Sequence, residues 1–267
     1  MSPTASMTQD HEKLVRFGFS FERGGAHTAR TMMLQELGVL LAHVDRPDAD
    51  RASYQRAVCI DNCLGKRSGK TRTLTFRHLS DLYSLDSDVA IFRALRFLWN
   101  RDPDGQPLLA LLCACARDPL LRSTAPMILK TPENAQVTRE SLEEFIDSLE
   151  PDRFSPATLK STAQNINSTW TQSGHLKGHV RKVRSRANPT AASVSYALLL
   201  GYLAGVRGRA FFQTEYFDLL DCPYDKGISL AEDASRKGWI VFKHLGDVIE
   251  IQFPDLISTD ELELARE

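Results

Sequence analysis

Between Arg153 and Thr214 the chain has no aspartate or glutamate, while the same stretch holds nine lysines and arginines. That gap stands out in a 267-residue sequence whose formal net charge is only −1. Bulk charge therefore says nothing about partners, whereas its distribution does. A second basic block runs from Arg51 to Leu79, with seven Lys or Arg against one acid, Asp61. The compensating acids are gathered in Glu133 to Asp152 (seven acids, one Arg) and Asp255 to Glu267 (five acids, one Arg). A near-neutral chain sorted in this way suggests a basic face for a polyanion.

Other absences narrow the reading. No apolar run is long enough to span a bilayer: Leu108–Ala116 is short, and Ala191–Val206 is broken by Ser193, Ser195, Gly201 and Gly205. The N-terminus, Met-Ser-Pro-Thr-Ala-Ser, has no apolar core of a signal peptide, so a cytoplasmic protein without a membrane partner is expected. Cysteines are few and odd in number (Cys59, Cys63, Cys113, Cys115, Cys222), without zinc-ribbon spacing, and fit buried, reduced thiols. No Ser-His-Asp set or pair of carboxylates stands out, so neither an enzyme nor a cofactor nor a metal is expected. His175 and His179 are four apart, but Gly178 lies between them and no carboxylate follows nearby. They read as an exposed hairpin pair rather than a zinc site.

What is there centres on Asp61 to Tyr83. A helical run over Ser53–Leu64 meets Gly65, which supplies a positive φ as a helix stop. Ser68 is placed to cap a second helix whose stripe is Leu74, Phe76, Leu79, Leu82 and Tyr83, leaving Lys70, Arg72 and Arg77 for solvent. Two helices around a short Gly-containing turn, with cations on the first turns of the second, have the shape of a helix-turn-helix. Gly65-Lys66-Arg67-Ser68-Gly69-Lys70-Thr71 also imitates a phosphate-binding loop. It has three residues between its glycines instead of four, and helical rather than strand-like apolar spacing precedes it. A solvated basic turn without a ligand is the plainer alternative.

The rest of the chain reads as helices over His27–His43, Asp86–Asn100, Pro107–Ala116, Asp118–Leu129 and Thr138–Leu149, the last with an acidic outer face. Ser155-Pro156 is an N-cap followed by Pro, opening a helix to about Thr171. The cation-rich His175–Arg186 segment that follows reads as a hairpin of the kind a winged helix lays on a phosphate backbone. Ala191–Ala204 reads as buried helix, Thr214–Leu220 and Ser229–Lys237 as shorter ones, and Trp239–Phe242 with Val248–Phe253 as a β-hairpin. Glu232, Asp233, Asp247 and Glu250 make this last unit less basic, which points to packing or protein contact. The expected fold is thus mainly α, with winged-helix and helix-turn-helix units and a short C-terminal hairpin. Its expected divisions are a flexible segment at 1–25, a helix-turn-helix domain at 26–100, a helical spine at 101–152 and a winged-helix-like region with an acidic tail at 153–267.

Four stretches resemble the BrxA family of BREX bacteriophage-exclusion systems: Phe21-Glu22-Arg23-Gly24-Gly25-Ala26, Asp61–Arg67, Leu108–Arg122, and the Ser155–Gly174 helix before the basic segment. The resemblance spans about Phe19 to Phe253. It implies a helical, winged-helix-containing protein that binds double-stranded DNA beside a methyltransferase and other BREX proteins. The family has also been compared with an RNA-binding antitermination fold, which keeps RNA as a ligand.

The expected contacts are Lys66, Arg67, Ser68, Lys70, Thr71, Arg72 and Arg77 in the first block, and Lys177, Arg181, Lys182, Arg184 and Arg186 in the second. Such cations neutralise phosphates and release counterions, giving salt-dependent affinity without sequence preference. The two other readings are a protein–protein adaptor whose basic blocks dock an acidic partner, and an RNA binder.

Overall fold

The computed structural model describes residues 11–246 and 248–266. Residues 1–10 of the segment read as flexible, and Asp247 of the last hairpin turn, lie outside them. The fold is mainly helical, with two small antiparallel sheets, each a single hairpin. After a short helical stretch at 11–17 the helices are α1 (Leu34–His43), α2 (Arg51–Cys59), α3 (Gly69–Tyr83), α4 (Ala90–Trp99) and α5 (Gln106–Arg117). Then come α6 (Pro119–Ser123), α7 (Ala125–Lys130), α8 (Arg139–Leu149) and α9 (Pro156–Gln172). The first hairpin is β1 (Leu176–Lys177) and β2 (Val183–Arg184); α10 (Ala191–Leu203), α11 (Glu215–Asp218) and α12 (Tyr224–Arg236) follow it. The second hairpin, β3 (Val241–Leu245) and β4 (Val248–Gln252), precedes the last helix, α13 (Thr259–Leu264).

Two helices that are apolar on every face organise the rest. From Leu108 to Ala116 every residue of α5 is buried, and so is all of α10. A helix without a polar face must be enclosed. Accordingly α5 packs against α3, α4 and α10, and α10 also meets α11 and α12. Thr190 starts α10 with a reciprocal capping box through Ser193. The buried apolar side chains form one connected cluster from Phe17 to Ala265.

Several helices differ from expectation; the one read over Asp118–Leu129, for instance, is the pair α6 and α7. The run over His27–His43 is helical only from Leu34; before it lie a 3-10 turn, Ala26–Thr28, and Met33 at φ 53°. The Met32 N–H donates to the Thr169 hydroxyl (2.9 Å), so α9 rather than a helix of its own satisfies that backbone. The helix expected over Ser53–Leu64 ends at Cys59, because Asn62 takes the left-handed conformation (φ 53°) and its Oδ1 accepts from the Lys66 N–H at 2.8 Å. Gly65 is left-handed too (φ 61°), but it sits in the turn and is not the helix stop. The acidic C-terminal stretch carries α13, capped reciprocally by Ser258 and Glu261.

Candidate nucleic-acid interface

The first basic group is built on the start of α3. The Ser68 hydroxyl accepts from the Thr71 N–H at 3.1 Å, the cap its sequence position predicts. The N–H groups of Gly69 and Lys70 have no hydrogen-bond partner among the described residues and open to solvent at the positive end of the helix. Arg67 and Lys70 are exposed, and neither is ion-paired among the described residues. Arg77 is exposed and lies loosely beside Asp81 (3.9 Å). Lys66 is half-buried and turned back onto Glu36 at 3.0 Å. Arg72 is partly covered, with a buried Nε that has no partner among the described residues. Among the described residues no strand precedes this turn, so it has nothing of a P-loop beyond its lettering.

The second group divides in two. Arg184 is 4% exposed, not on the surface as expected. Its guanidinium donates to the Ile128 carbonyl (2.9 Å), the His175 carbonyl (3.3 Å) and the Ser185 carbonyl, and pairs with Asp221 at 2.9 Å. A buried guanidinium needs that many acceptors, and with them its donors are committed inside the protein rather than to a phosphate. Arg186 is exposed but faces Glu133 at 3.3 Å. Lys177 and Arg181 are exposed, and Lys182 is half-buried; none of the three pairs with a carboxylate among the described residues. The Lys182 ammonium donates to the Gly178 carbonyl (2.8 Å), and desolvation pushes its pKa down.

The hairpin tip is stiff for its size. Gly178 sits at φ +101°, where an added Cβ would run into the Arg181 carbonyl, so this turn needs glycine. Below it His175 is fully buried, not one of an exposed pair: its Nε2–H donates to the Leu219 carbonyl (3.1 Å), and its Nδ1 lies 2.9 Å from the Ser173 hydroxyl. Burial pushes this imidazole down to about 4, so it is neutral near pH 7. At the apex Val180 is 93% exposed, between His179 and Arg181.

Helix α9 leads into the second group. On one flank Asn165 donates to the His27 carbonyl (3.0 Å), and Gln172 meets Thr31 (3.2 Å) and the Leu34 N–H (3.4 Å). Two residues beyond Leu34, Glu36 holds Lys66; five beyond Gln172 comes Lys177. The other flank, with Gln164, Asn167 and Ser168, borders a groove of about 650 Å³ whose far wall is the hairpin tip. There is no acid anywhere on α9.

One constellation escaped the sequence. His27 Nδ1 lies 2.7 Å from Asp118 Oδ2, and His27 Nε2 lies 2.9 Å from Thr169 Oγ1. This hydroxyl–imidazole–carboxylate line has the order of a hydrolase triad, but all three residues are buried, and the Thr169 oxygen already accepts the Met32 N–H. Asp118 also caps α6 by accepting from Leu120 and Leu121. Burial would raise its carboxyl, but His27 and these N–H donors outweigh burial and hold it below the ordinary range. The arrangement is a clamp that ties the N-terminal segment to α6 and α9. Gly25 is part of it, since a Cβ there would strike the Asp118 carboxylate. Asp118-Pro119 reads in sequence only as a helix start, and nothing links it to His27, 91 positions away.

Comparison with known proteins finds no matching family model, no similar curated protein and no similar solved structure. Among the described residues no helix is long and apolar enough to cross a membrane, and no group of three or more His, Cys, Asp or Glu could hold a metal ion.

Proposed function

We propose that this chain is a non-enzymatic, cytoplasmic component of a BREX-type defence system, resembling BrxA, that binds double-stranded DNA mainly through its phosphates. In this reading the first hairpin serves as the wing of a winged helix and α3 as the second helix of a helix-turn-helix, with a methyltransferase complex as the protein partner. The hairpin tip supports it most: Lys177, Arg181 and Lys182 stand on a braced support without a carboxylate partner among the described residues, beside a helix with no acid. Arg67, Lys70 and the open N–H groups at the start of α3 are a second set of donors, where a phosphate would meet both charge and helix dipole. Arg184 drops out of the contact set, and Lys66 and Arg186 must first leave Glu36 and Glu133.

A gel-shift series with duplex DNA, duplex RNA and single strands over a range of salt tests it. The expected result is a preference for duplex DNA and a linear fall of log affinity with log salt, which Arg181→Glu with Lys182→Glu makes shallower. Unchanged binding in that double variant at low salt overturns the role of the hairpin, and preference for duplex RNA replaces the ligand. One observation favours a second reading, protein docking by the other hairpin: Leu245 and Val248, flanking its turn, are 84% and 71% exposed. Substituting both with Ser and measuring capture of the defence-system partner separates the two.

A further inference from the structure

Strand β2 has a second neighbour besides β1. The segment 134–137 runs antiparallel to it: the Arg184 N–H donates to the Ala135 carbonyl (2.8 Å), and the Asn134 and Val137 N–H groups donate to the Arg184 and Lys182 carbonyls (3.0 Å each). In chain order this region is therefore an extended segment, α8, α9 and a hairpin, with the segment laid on the hairpin's return strand. Helices α8 and α9 pack on each other, joined by residues 150–155. Helix α9 buries Ala163, Ile166 and Trp170, with Thr162 and Thr169 beside them. Its opposite face carries Ala157, Lys160, Ser161, Gln164, Ser168 and Thr171, recurring every three or four residues. The hydroxyls of Ser161, Ser168 and Thr171 donate to carbonyls of their own helix. Lys160 and Gln164 are exposed, and neither side chain has a hydrogen bond or ion pair among the described residues.

We propose that α9 is the base-reading helix of this chain, set in the major groove of duplex DNA with Lys160 and Gln164 at the base edges. The proposal rests on the DNA-binding reading above and adds sequence preference to it. Strand, helix, helix and hairpin, with the first strand paired to the hairpin's return strand, is the plan of a winged helix. In a helix-turn-helix the second helix of the pair meets the bases, and in this plan that helix is α9. The major groove is about 12 Å wide and admits one helix. A glutamine side chain pairs bidentately with adenine at N6 and N7, and a lysine with guanine at O6 and N7. Lys160 and Gln164 lie one turn apart on the same face, so both meet the same groove. The absence of any acid on α9 removes the repulsion that phosphates would otherwise meet along it. Lys177, Arg181 and Lys182 then hold the backbone beside the groove, and the start of α3 keeps its phosphate contacts. Glu140 is the one acid lining the space between α9 and the hairpin tip, and Arg139 pairs with it.

The test is enrichment of duplexes from a randomised pool by the full chain, followed by competition binding of the enriched duplex against a scrambled one of the same composition. The expected result is a motif bound about tenfold more tightly than the scrambled duplex, within the range for one bidentate base contact. Gln164→Ala and Lys160→Ala should each relax the motif, at different base pairs. Gln164→Ala removes no charge, so affinity for the scrambled duplex and its salt slope should stay unchanged. Lys70→Ala on α3 should weaken binding to both duplexes alike and leave the motif as it is. The replaced side chains are exposed, and a thermal melt confirms that each variant is folded. No enriched motif in the wild type, a motif that survives both substitutions on α9, or one that changes with Lys70→Ala instead, overturns the base-reading role while leaving the DNA reading intact. No salt-dependent binding to any duplex removes both.

Discussion

Among the described residues there are two hairpins, each following a helix, and they are held in different ways. The first has strands of two residues, too short to be stable alone, and is held by backbone hydrogen bonds from the 134–137 segment to Lys182 and Arg184 and by buried side chains: Arg184 on Asp221 and three carbonyls, His175 on Leu219. The second has strands of five residues paired from Val241–Gln252 to Leu245–Val248, and its inward residues Phe242, Ile249 and Ile251 stand on the core. An ion pair between its facing strands, Lys243 with Glu250, is exposed and loose at 3.7 Å. The helix before the first hairpin has no acid, and the helix before the second carries Asp225, Glu232 and Asp233. A hairpin standing on its own hydrogen-bond ladder and apolar face can carry any charge at its surface. The first, tied down by Arg184 and by the backbone of the 134–137 segment, leaves Arg181 exposed at its tip without a carboxylate partner among the described residues.

That contrast can be broken most forcefully at Arg184. Arg184→Ala strands the Asp221 carboxylate and several carbonyls, and should lower stability by about 3–5 kcal/mol in a denaturant titration. Lys243→Ala in the second hairpin should change it by less than about 0.5 kcal/mol. Next in size is the charge contrast. Arg181→Glu with Lys182→Glu should lower duplex affinity and reduce the slope of log affinity against log salt by about two, about one for each lost phosphate contact. Lys226→Glu with Arg236→Glu on α12 should leave both unchanged in the same gel-shift series.

The anchors should differ in pH response as well. Folded His175 is held neutral, with a pKa of about 4 against an ordinary 6.5. The unfolded chain therefore takes up a proton first, and the stability that neutral His175 contributes, complete above pH 6.5, is lost as pH falls toward 4. Urea midpoints measured across that window should drop for the wild type and flatten for His175→Gln; parallel curves would refute the assignment. The smallest effect is expected at the second tip. Leu245→Ser with Val248→Ser should leave stability within about 0.5 kcal/mol, because these side chains are already in water.

Local chemistry was legible where one residue decides the outcome. Ser68 and Ser155 are the caps their positions predict, and both hairpins lie where the alternation and turn residues put them. The helix in the acidic tail announced itself by Ser258 and Glu261, a capping-box spacing hidden by the view of those acids as a tail. The rest was not local. Arg184 looks in sequence like Arg181 or Arg186, and only burial beside Asp221 separates it from them. His27, Asp118 and Thr169 have no shared pattern until the chain folds.

The guanidinium of Arg184 gathers α7, the start of the first hairpin and the loop before α12 at one point. It works like the pin of a joint. A load on the tip passes through that pin to Asp221, and so to the base of the helix that supports the other hairpin.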